Sequence, residues 1–345
     1  MEHLPLQTQT AYAELLDLLT AIEARREIGH TGGSFVHKTV KGQEYYYHQH
    51  AEPGGIVQRY VGQRTPILDQ VVVRFIEGRS QVRAERRVSN RLCSVLRAGG
   101  ALAIDTAALR VLSALADAAV FRLGGVLVGT YALITLGNAL GVRWDSATLR
   151  SEDLDIASQR ALAVAVPRLR ADVPGILDSL EMGFLPVPGL SPRDPSTSFK
   201  VRGRALRVDL LTPQRRGAQK PVMIPRFATA AQPLPHLDYL IEETSTTVAI
   251  GATAVLVTVP LPGRYALHKL VTMHARSASL QAKSHKDLHQ AAQVIEFLAE
   301  ERPGDLRQAW EDLVRRRWKK AIRPGLESLK RRFPDAHAAL KREIA

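Results

Sequence analysis

Apolar positions set the first elements. Leu15, Leu16, Leu18, Leu19 and Ile22 recur at helical spacing with Glu14, Asp17 and Arg25 between them, which predicts a helix from about Leu6 to Gly29. The period then shortens. Gly33-Ser34-Phe35-Val36-His37-Lys38-Thr39-Val40 is rich in strand formers and ends in the turn Lys41-Gly42. Glu44-Tyr45-Tyr46-Tyr47-His48-Gln49-His50 follows, and Pro53-Gly54-Gly55 leads into Ile56-Val57-Gln58-Arg59-Tyr60-Val61-Gly62. Turn residues between such runs predict a three-strand meander. From Ile67 to Leu96 the pattern is again helical, with a polar side made almost wholly of Arg74, Arg79, Arg83, Arg86, Arg87 and Arg91. Gly99-Gly100 stops this helix, and Asp105-Thr106 can cap another that runs to about Phe121.

The middle of the chain reads differently. Phe121-Arg122-Leu123-Gly124-Gly125-Val126-Leu127-Val128 is expected to be a buried strand; Gly129-Thr130 breaks it, and Tyr131-Ala132-Leu133-Ile134 opens a helix. A strand carries Asp153 and Asp155. Val173 to Met182 is expected to be helical and Pro186 to Ser198 a proline-rich loop. Phe199 to Val201 and Ala205 to Thr212 form a hairpin about Gly203; Thr246 to Ile250 and Ala254 to Val259 are further strands. After Pro260 and Pro262 the rest is helical, with a basic run Arg315-Arg316-Arg317-Trp318-Lys319-Lys320. The class is therefore α+β. Three parts are expected: 1–100 (helix, meander and basic helix), 101–260 (a small mixed sheet with its helices) and 261–345 (a C-terminal helical module).

Composition adds one strong constraint. Over 345 residues, 47 Lys and Arg stand against 34 Asp and Glu, a net charge of +13. Such an excess draws polyanions, nucleic acid first among them, although an arginine-rich proteome would leave the same imprint. The single cysteine, Cys93, excludes an internal disulfide and fits a reducing compartment. The N-terminal Met1-Glu2-His3-Leu4-Pro5 lacks the basic-then-apolar order of a signal peptide. The uncharged stretches Leu123 to Val142 and Thr244 to Gly263 contain too many Gly, Thr and Pro for membrane spans. A cytoplasmic location, with no membrane partner, is expected.

The candidate chemistry lies in Ser151-Glu152-Asp153-Leu154-Asp155-Ile156-Ala157. Alternate side chains on a strand share a face, so Asp153 and Asp155 point one way and Leu154 and Ile156 enter the core. In Leu206-Arg207-Val208-Asp209-Leu210-Leu211 the same rule puts Asp209 opposite the apolar set. Three such carboxylates on one sheet edge would repel one another without a cation. Hard oxygen donors suit Mg²⁺ (or Mn²⁺), and a pair of such ions clamps the attacking and leaving oxygens of an in-line phosphoryl displacement. Gly129-Thr130, where a strand runs straight into a helix, would offer backbone N–H groups and a hydroxyl to phosphate oxygens.

The order Gly129-Thr130, Asp153-Leu154-Asp155, Asp209 resembles the nucleotidyltransferase superfamily, which shares a small palm with DNA polymerase beta. Gly33-Ser34-Phe35, Lys41-Gly42-Gln43-Glu44-Tyr45-Tyr46-Tyr47 and Gln58-Arg59-Tyr60-Val61-Gly62 look like the N-terminal part of a bacterial nucleotidyltransferase-like branch with a glycine-serine, Tyr-rich hairpin. Abortive-infection and toxin-type nucleotidyltransferases are more distant relatives. The resemblance runs from about Gly33 to Leu298. It departs at Thr130, where Gly or Ser is usual, and in a long Gly129–Asp153 gap that suggests an inserted loop from Asn138 to Arg150. It implies a mixed-sheet palm between an N-terminal helix-hairpin-helix module and a C-terminal helical module. It also implies two-metal transfer of a nucleotide from a nucleoside triphosphate, with Asp153, Asp155 and Asp209 as catalytic metal ligands. In the toxin-type relatives a helix Lys, an Arg and a basic-Asp-Leu run contact phosphates or brace the palm. Lys269, Arg276 and Lys286 of Lys283-Ser284-His285-Lys286-Asp287-Leu288 are the matching residues, with Asp287 orienting a basic partner. The positive charge makes RNA, perhaps tRNA, the first choice of acceptor, and an antitoxin-like protein is a candidate partner. Two alternatives stay open: a non-catalytic nucleic-acid-binding protein on a palm scaffold, or an enzyme that nucleotidylates a protein or a small molecule such as an aminoglycoside.

Other signals are weaker. Lys38, Lys41, Tyr45, Tyr46, Tyr47, His48, Arg59 and Tyr60 could stack bases and hold phosphates. The competing reading packs Tyr45 and Tyr47 on a helix and turns Tyr46 outward. The arginine helix and the Arg315–Lys320 run could form an RNA track or simply be solvated faces. His48 with His50 and His285 with His289 have metal-capable spacing without a third ligand nearby. Gly124-Gly125 and Gly129 lack the spacing of a dinucleotide turn.

Overall fold

Strict alternation in the two aspartate strands organises the central sheet. In the computed structural model the burial of Arg207–Pro213 alternates throughout, with Val208, Leu210 and Thr212 inside and Arg207, Asp209 and Leu211 on the other face. In Asp153–Ser158, Leu154 and Ile156 are fully buried while both aspartates are only partly so. The structure describes all residues except 25–32, 53–54, 159–169, 190, 192–193, 216, 218, 274–280 and 345.

The described elements run β1 (Glu2–His3), α1 (Leu6–Ala24), β2 (Ser34–Val40), β3 (Gln43–Glu52), β4 (Gly55–Gln63), α2 (Pro66–Ala98), α3 (Thr106–Asp117), β5 (Gly125–Val128), α4 (Gly129–Ala139), β6 (Val142–Arg143), β7 (Asp153–Ser158), α5 (Val173–Ser179), β8 (Phe184–Pro186), β9 (Ser198–Val201), β10 (Arg207–Pro213), β11 (Val222–Ile224), β12 (Thr229–Leu234), α6 (Leu237–Ile241), β13 (Thr244–Ile250), β14 (Ala254–Pro260), α7 (Pro262–Thr272), α8 (Gln281–Glu301), α9 (Pro303–Arg315), α10 (Lys319–Arg332) and α11 (Pro334–Ile344). Helices and strands are mixed without a repeating βαβ order, so the class is α+β. No described helix is long and apolar enough to cross a membrane.

The central sheet is mixed and seven-stranded, in the order β11-β12-β10-β7-β5, with β9 also on β10 and β8 on β9. β7 and β10 are parallel, β5 is antiparallel to β7, and β9 is antiparallel to β10. One large apolar core joins this sheet to α3, α4 and α7–α11; Leu127, Ile156, Val208, Leu267, Ile295 and Leu340 all belong to it. A second core joins α1 and the C-terminal part of α2 to β13 through Leu15, Leu92, Cys93, Leu96, Val248 and Ile250. Tyr12 accepts from the Val248 amide at 3.1 Å within it.

Four sequence expectations change. The strand expected from Phe121 begins only at Gly125: Ala119 and Gly124 take left-handed backbone (φ 67° and 81°), and the Gly125 amide closes a turn onto Val120 O. The Asn138–Arg150 segment is not an inserted loop. α4 runs through Ala139, β6 pairs with β1, and Trp144 is buried with its indole N–H donating to Leu133 O at 2.8 Å. The proline-rich loop starts late, because Phe184–Pro186 pairs with β9. In the meander Tyr46, not Tyr45 or Tyr47, faces the helix: its hydroxyl donates to Asp69 of α2 at 2.6 Å, and Phe35 on the same face packs edge-on against Phe75 at 4.9 Å.

Asn138 ties α4 to the strap that follows α2. Its side chain accepts from the Leu102 amide and donates to the Leu102 carbonyl, both at 2.8 Å. Asn138→Ala strands both backbone groups, and urea unfolding should show a loss of about 1–3 kcal/mol. A change within error would mean the clamp is replaced freely by water.

Candidate active site

Gly129 is the pivot. β5 ends at Val128, and Gly129 opens α4 with φ 71°, a conformation costly for side chains with a Cβ. A Cβ there would lie 2.3 Å from Asp155 Oδ2. The turn therefore requires glycine for two independent reasons, and it starts α4 directly beside Asp155. Behind it, the Tyr265 hydroxyl of α7 lies 3.1 Å from both Gly129 O and Gln290 Oε1 of α8, and Gln290 donates to Thr148 O at 2.8 Å. Thr130 is buried, and its Oγ1 sits 3.4 Å from Gln290 Nε2.

The backbone register gathers the acids. Asp209 pairs laterally with Asp155, Asp155 pairs with Val128 beside the turn, and Arg207 pairs with Asp153. Asp153, Asp155, Arg207 and Asp209 thus share one face, next to Gly129. Desolvation first, then the Asp209 and Asp153 carboxylates, push Asp155 up to about 7, while Lys269 and Lys283 pull it down. Nearby charges are already engaged. Asp209 Oδ1 accepts from Arg207 Nε at 2.7 Å and from the Ser198 hydroxyl, while Arg207 also reaches Ser198 at 2.7 Å. Lys283 Nζ is 3.2 Å from Asp153 Oδ2. Among the described residues, no group of three His, Cys, Asp or Glu side chains converges as a ready ligand set. The donor chemistry and the register nonetheless fit a hard divalent cation: three carboxylates lie on one face, and one holds its proton because burial and then its neighbours' charges disfavour the carboxylate.

The remaining expected positions are dispersed around this edge. Lys269 forms a half-hidden ion pair with Asp287 at 2.6 Å and lies over the Tyr265 ring at 5.3 Å. Lys286 donates to Arg150 O, on the segment leading into β7. Arg276 lies outside the described residues. Sequence reasoning gave Arg207 no role, named Lys283 only as part of the basic run 283–288, and passed over Ser198, Tyr265 and Gln290. The alternation that placed Asp209 also placed Arg207 on the same face, so that one signal was present. Ser198 is reached only through the β9–β10 register.

A family model described as nucleotidyltransferase matches residues 106–315. The chain belongs to this nucleotidyltransferase family. Neither a curated protein nor a solved structure matches it significantly. The match covers the Gly129 turn, all three aspartates and Lys269 through Lys286, and it begins after the meander and α2.

Two outcomes test the electrostatics of this site. Unfolded Asp titrates near 3.9, so between about pH 4 and 7 the folded nucleotidyltransferase keeps a proton at Asp155 that the unfolded chain gives up. The cation-free protein should lose stability as pH rises through that window. Asp155→Asn should flatten the trend and raise Tm at pH 8 by about 2 °C or more, read by scanning calorimetry. Equal pH dependence in both proteins would refute the assignment. Gly129→Ala should cost about 1–2 kcal/mol of stability through the left-handed backbone alone, seen as a lower Tm. An unchanged melt would show that the turn relaxes.

Proposed function

We propose that the protein transfers a nucleoside monophosphate from a nucleoside triphosphate to an acceptor hydroxyl, with RNA, tRNA among its forms, as the acceptor. The reading rests above all on the lateral pairing of Asp209 with Asp155 beside the Gly129 turn, and the family match supports it. The palm would be the part around residues 101–260, flanked by an N-terminal module (1–100) and a C-terminal helical module (261–345).

In this reading Asp153 and Asp155 hold Mg²⁺ or Mn²⁺ and Asp209 completes the set; the bound ions would neutralise triphosphate charge and acidify the attacking hydroxyl. The amides at the start of α4, Gly129 and Thr130 first, hold phosphate oxygens, assisted by the helix dipole. Thr130 would contribute mainly its backbone, since its side chain is buried toward Gln290. Lys283 and Arg207, now paired with Asp153 and Asp209, would transfer their charge to the incoming phosphates; Arg207 can do so in bidentate fashion. Lys269, steadied by Asp287, keeps a positive potential behind the site, and Arg276 and Lys286 are further phosphate candidates. Net charge +13 favours a polyanionic acceptor.

The test is labelled triphosphate with Mg²⁺ and total RNA, run with each of the four bases. Wild type should label RNA, and Asp153→Asn or Asp209→Asn should reduce the rate by about 100-fold or more. Lys283→Ala and Arg207→Ala should mainly raise KM for the triphosphate. Label on protein or on an aminoglycoside would replace the RNA reading. No transfer to any acceptor, with RNA binding unchanged in Asp153→Asn, would leave only a binding protein.

A further inference from the structure

The meander lies outside the family match, and its two faces differ in kind. One face is turned to α2: Phe35, Tyr46 and His48 pack toward Phe75 and Asp69, and Glu44 is ion-paired with Arg64. The other face is fixed by register into three cross-strand rows. Lys38 pairs with Tyr45 and Tyr45 with Gln63; Val36 pairs with Tyr47 and Tyr47 with Tyr60; Ser34 pairs with Gln49 and Gln49 with Gln58. Those nine positions hold three tyrosines, three glutamines and a lysine, and no carboxylate.

The side chains on this face are already organised as a platform. Tyr60 is 61% exposed, and its ring lies 6.0 Å from Tyr45 and 5.7 Å from Tyr47. Lys38 is exposed, sits over the Tyr47 ring at 5.1 Å and donates to Gln58 Oε1, while Gln58 donates to Gln49 Oε1 at 2.9 Å and Gln49 to Ser34 at 3.0 Å. The β-bulge at Tyr46/Tyr47 lets Tyr60 meet both Tyr45 and Tyr47. Around this face, residues 33–100 carry eleven Lys and Arg against five Asp and Glu, and Glu44 and Asp69 are both bound to Arg64.

We propose that the outward face of β2–β3–β4 binds single-stranded nucleic acid, stacking unpaired bases on Tyr45, Tyr47 and Tyr60 while Lys38 meets a phosphate and Gln49, Gln58 and Gln63 meet base edges. Outward-facing aromatic rings beside a cation, with Tyr60 exposed and Tyr45 and Tyr47 half-buried next to it, suit bases that have left a duplex, because every base has a π-face and only an unpaired one presents it. A polyanion is favoured over a protein partner: the central Val36–Tyr47–Tyr60 row is flanked by polar rows that hold Lys38 and three glutamines, and the surrounding region carries the excess positive charge just counted. As the seat of an RNA acceptor, this surface rests on the transferase reading; as a binding site it stands alone.

The experiment is fluorescence anisotropy of the full chain with a labelled oligoribonucleotide of about 12 nucleotides, at two salt concentrations. Saturable binding is expected, weakened about ten-fold or more by Tyr47→Ala and by Tyr60→Ala, and retained by Tyr60→Phe. Lys38→Ala should reduce the salt dependence. The same sequence as a duplex should compete poorly, and the deoxy-oligonucleotide, if bound similarly, supports the same stacking surface. Matching thermal melts show that the variants fold; a variant that does not fold is replaced by Tyr45→Ala. Binding that is absent in wild type, unchanged in both alanine variants, or matched by duplex overturns the proposal. Asp153→Asn should bind the oligonucleotide like wild type, so failure of nucleotidyl transfer and failure of this surface are read separately.

Discussion

Parallel pairing of β7 with β10 sets the constraint on which the rest of the site depends. It brings Asp155 and Asp209 into lateral register on one sheet face. Like charges so placed cannot all ionise cheaply in a partly desolvated setting. The protein answers in three ways. Asp155 holds its proton more tightly; Arg207 pairs with Asp209; and Lys283 reaches from α8 to Asp153. None of these would be needed on a face of ordinary polar residues. A repulsive cluster kept at the end of two otherwise well-packed strands is not what a face optimised for stability would carry, and it supports the proposed cation site.

The same reasoning explains why α7 and α8 are built as they are. Tyr265 and Gln290 satisfy Gly129 O and Thr148 O from behind, so the turn and the segment leading to β7 are braced by one buried pair. Burial pushes the Tyr265 hydroxyl up to about 12, so it remains a neutral donor under ordinary conditions. Asp287 pairs with Lys269 inside the helix pair. The pairing offsets part of the desolvation cost of holding a charged lysine near the acid face. The Thr130 side chain fits this scheme better as a packing group than as a phosphate donor, since it is buried against Gln290.

Much of this was legible in the sequence where local pattern and tertiary demand agree. Alternation in Asp153–Ile156 and Leu206–Leu211 sorted core from face correctly. The glycine at 129 marked the strand-to-helix turn, and Asp105 capped α3 as expected, accepting from the Ala108 amide at 2.9 Å. What stayed hidden depends on long-range pairing. β11 and β12 lie in an alanine- and proline-containing stretch with weak alternation, and only the sheet edge offered by β10 and the β11–β12 pairing make strands of them. Ser198 enters the site solely through the β9–β10 register. The meander shows the sharper lesson. Its strands were readable, but its parity was set by Phe35 and Tyr46 meeting Phe75 and Asp69 of α2, partners that no strand-local pattern contains.

That parity changes what the N-terminal region can do. Had Tyr45 and Tyr47 packed on α2, the exposed face would have carried Tyr46, Glu44 and His48, a mixture with no clear affinity for bases. The observed register sends the one carboxylate of β3 near the turn, Glu44, to Arg64, and leaves three rings, a lysine and a row of amides facing out. Charge alone would not select single strands, since an arginine-rich helix attracts duplex and single strand alike. Exposed rings add the missing discrimination, because a stacked base pair cannot use them. The family match covers residues 106–315, so the proposed base-stacking surface lies before it and is built from an arrangement the family match does not include.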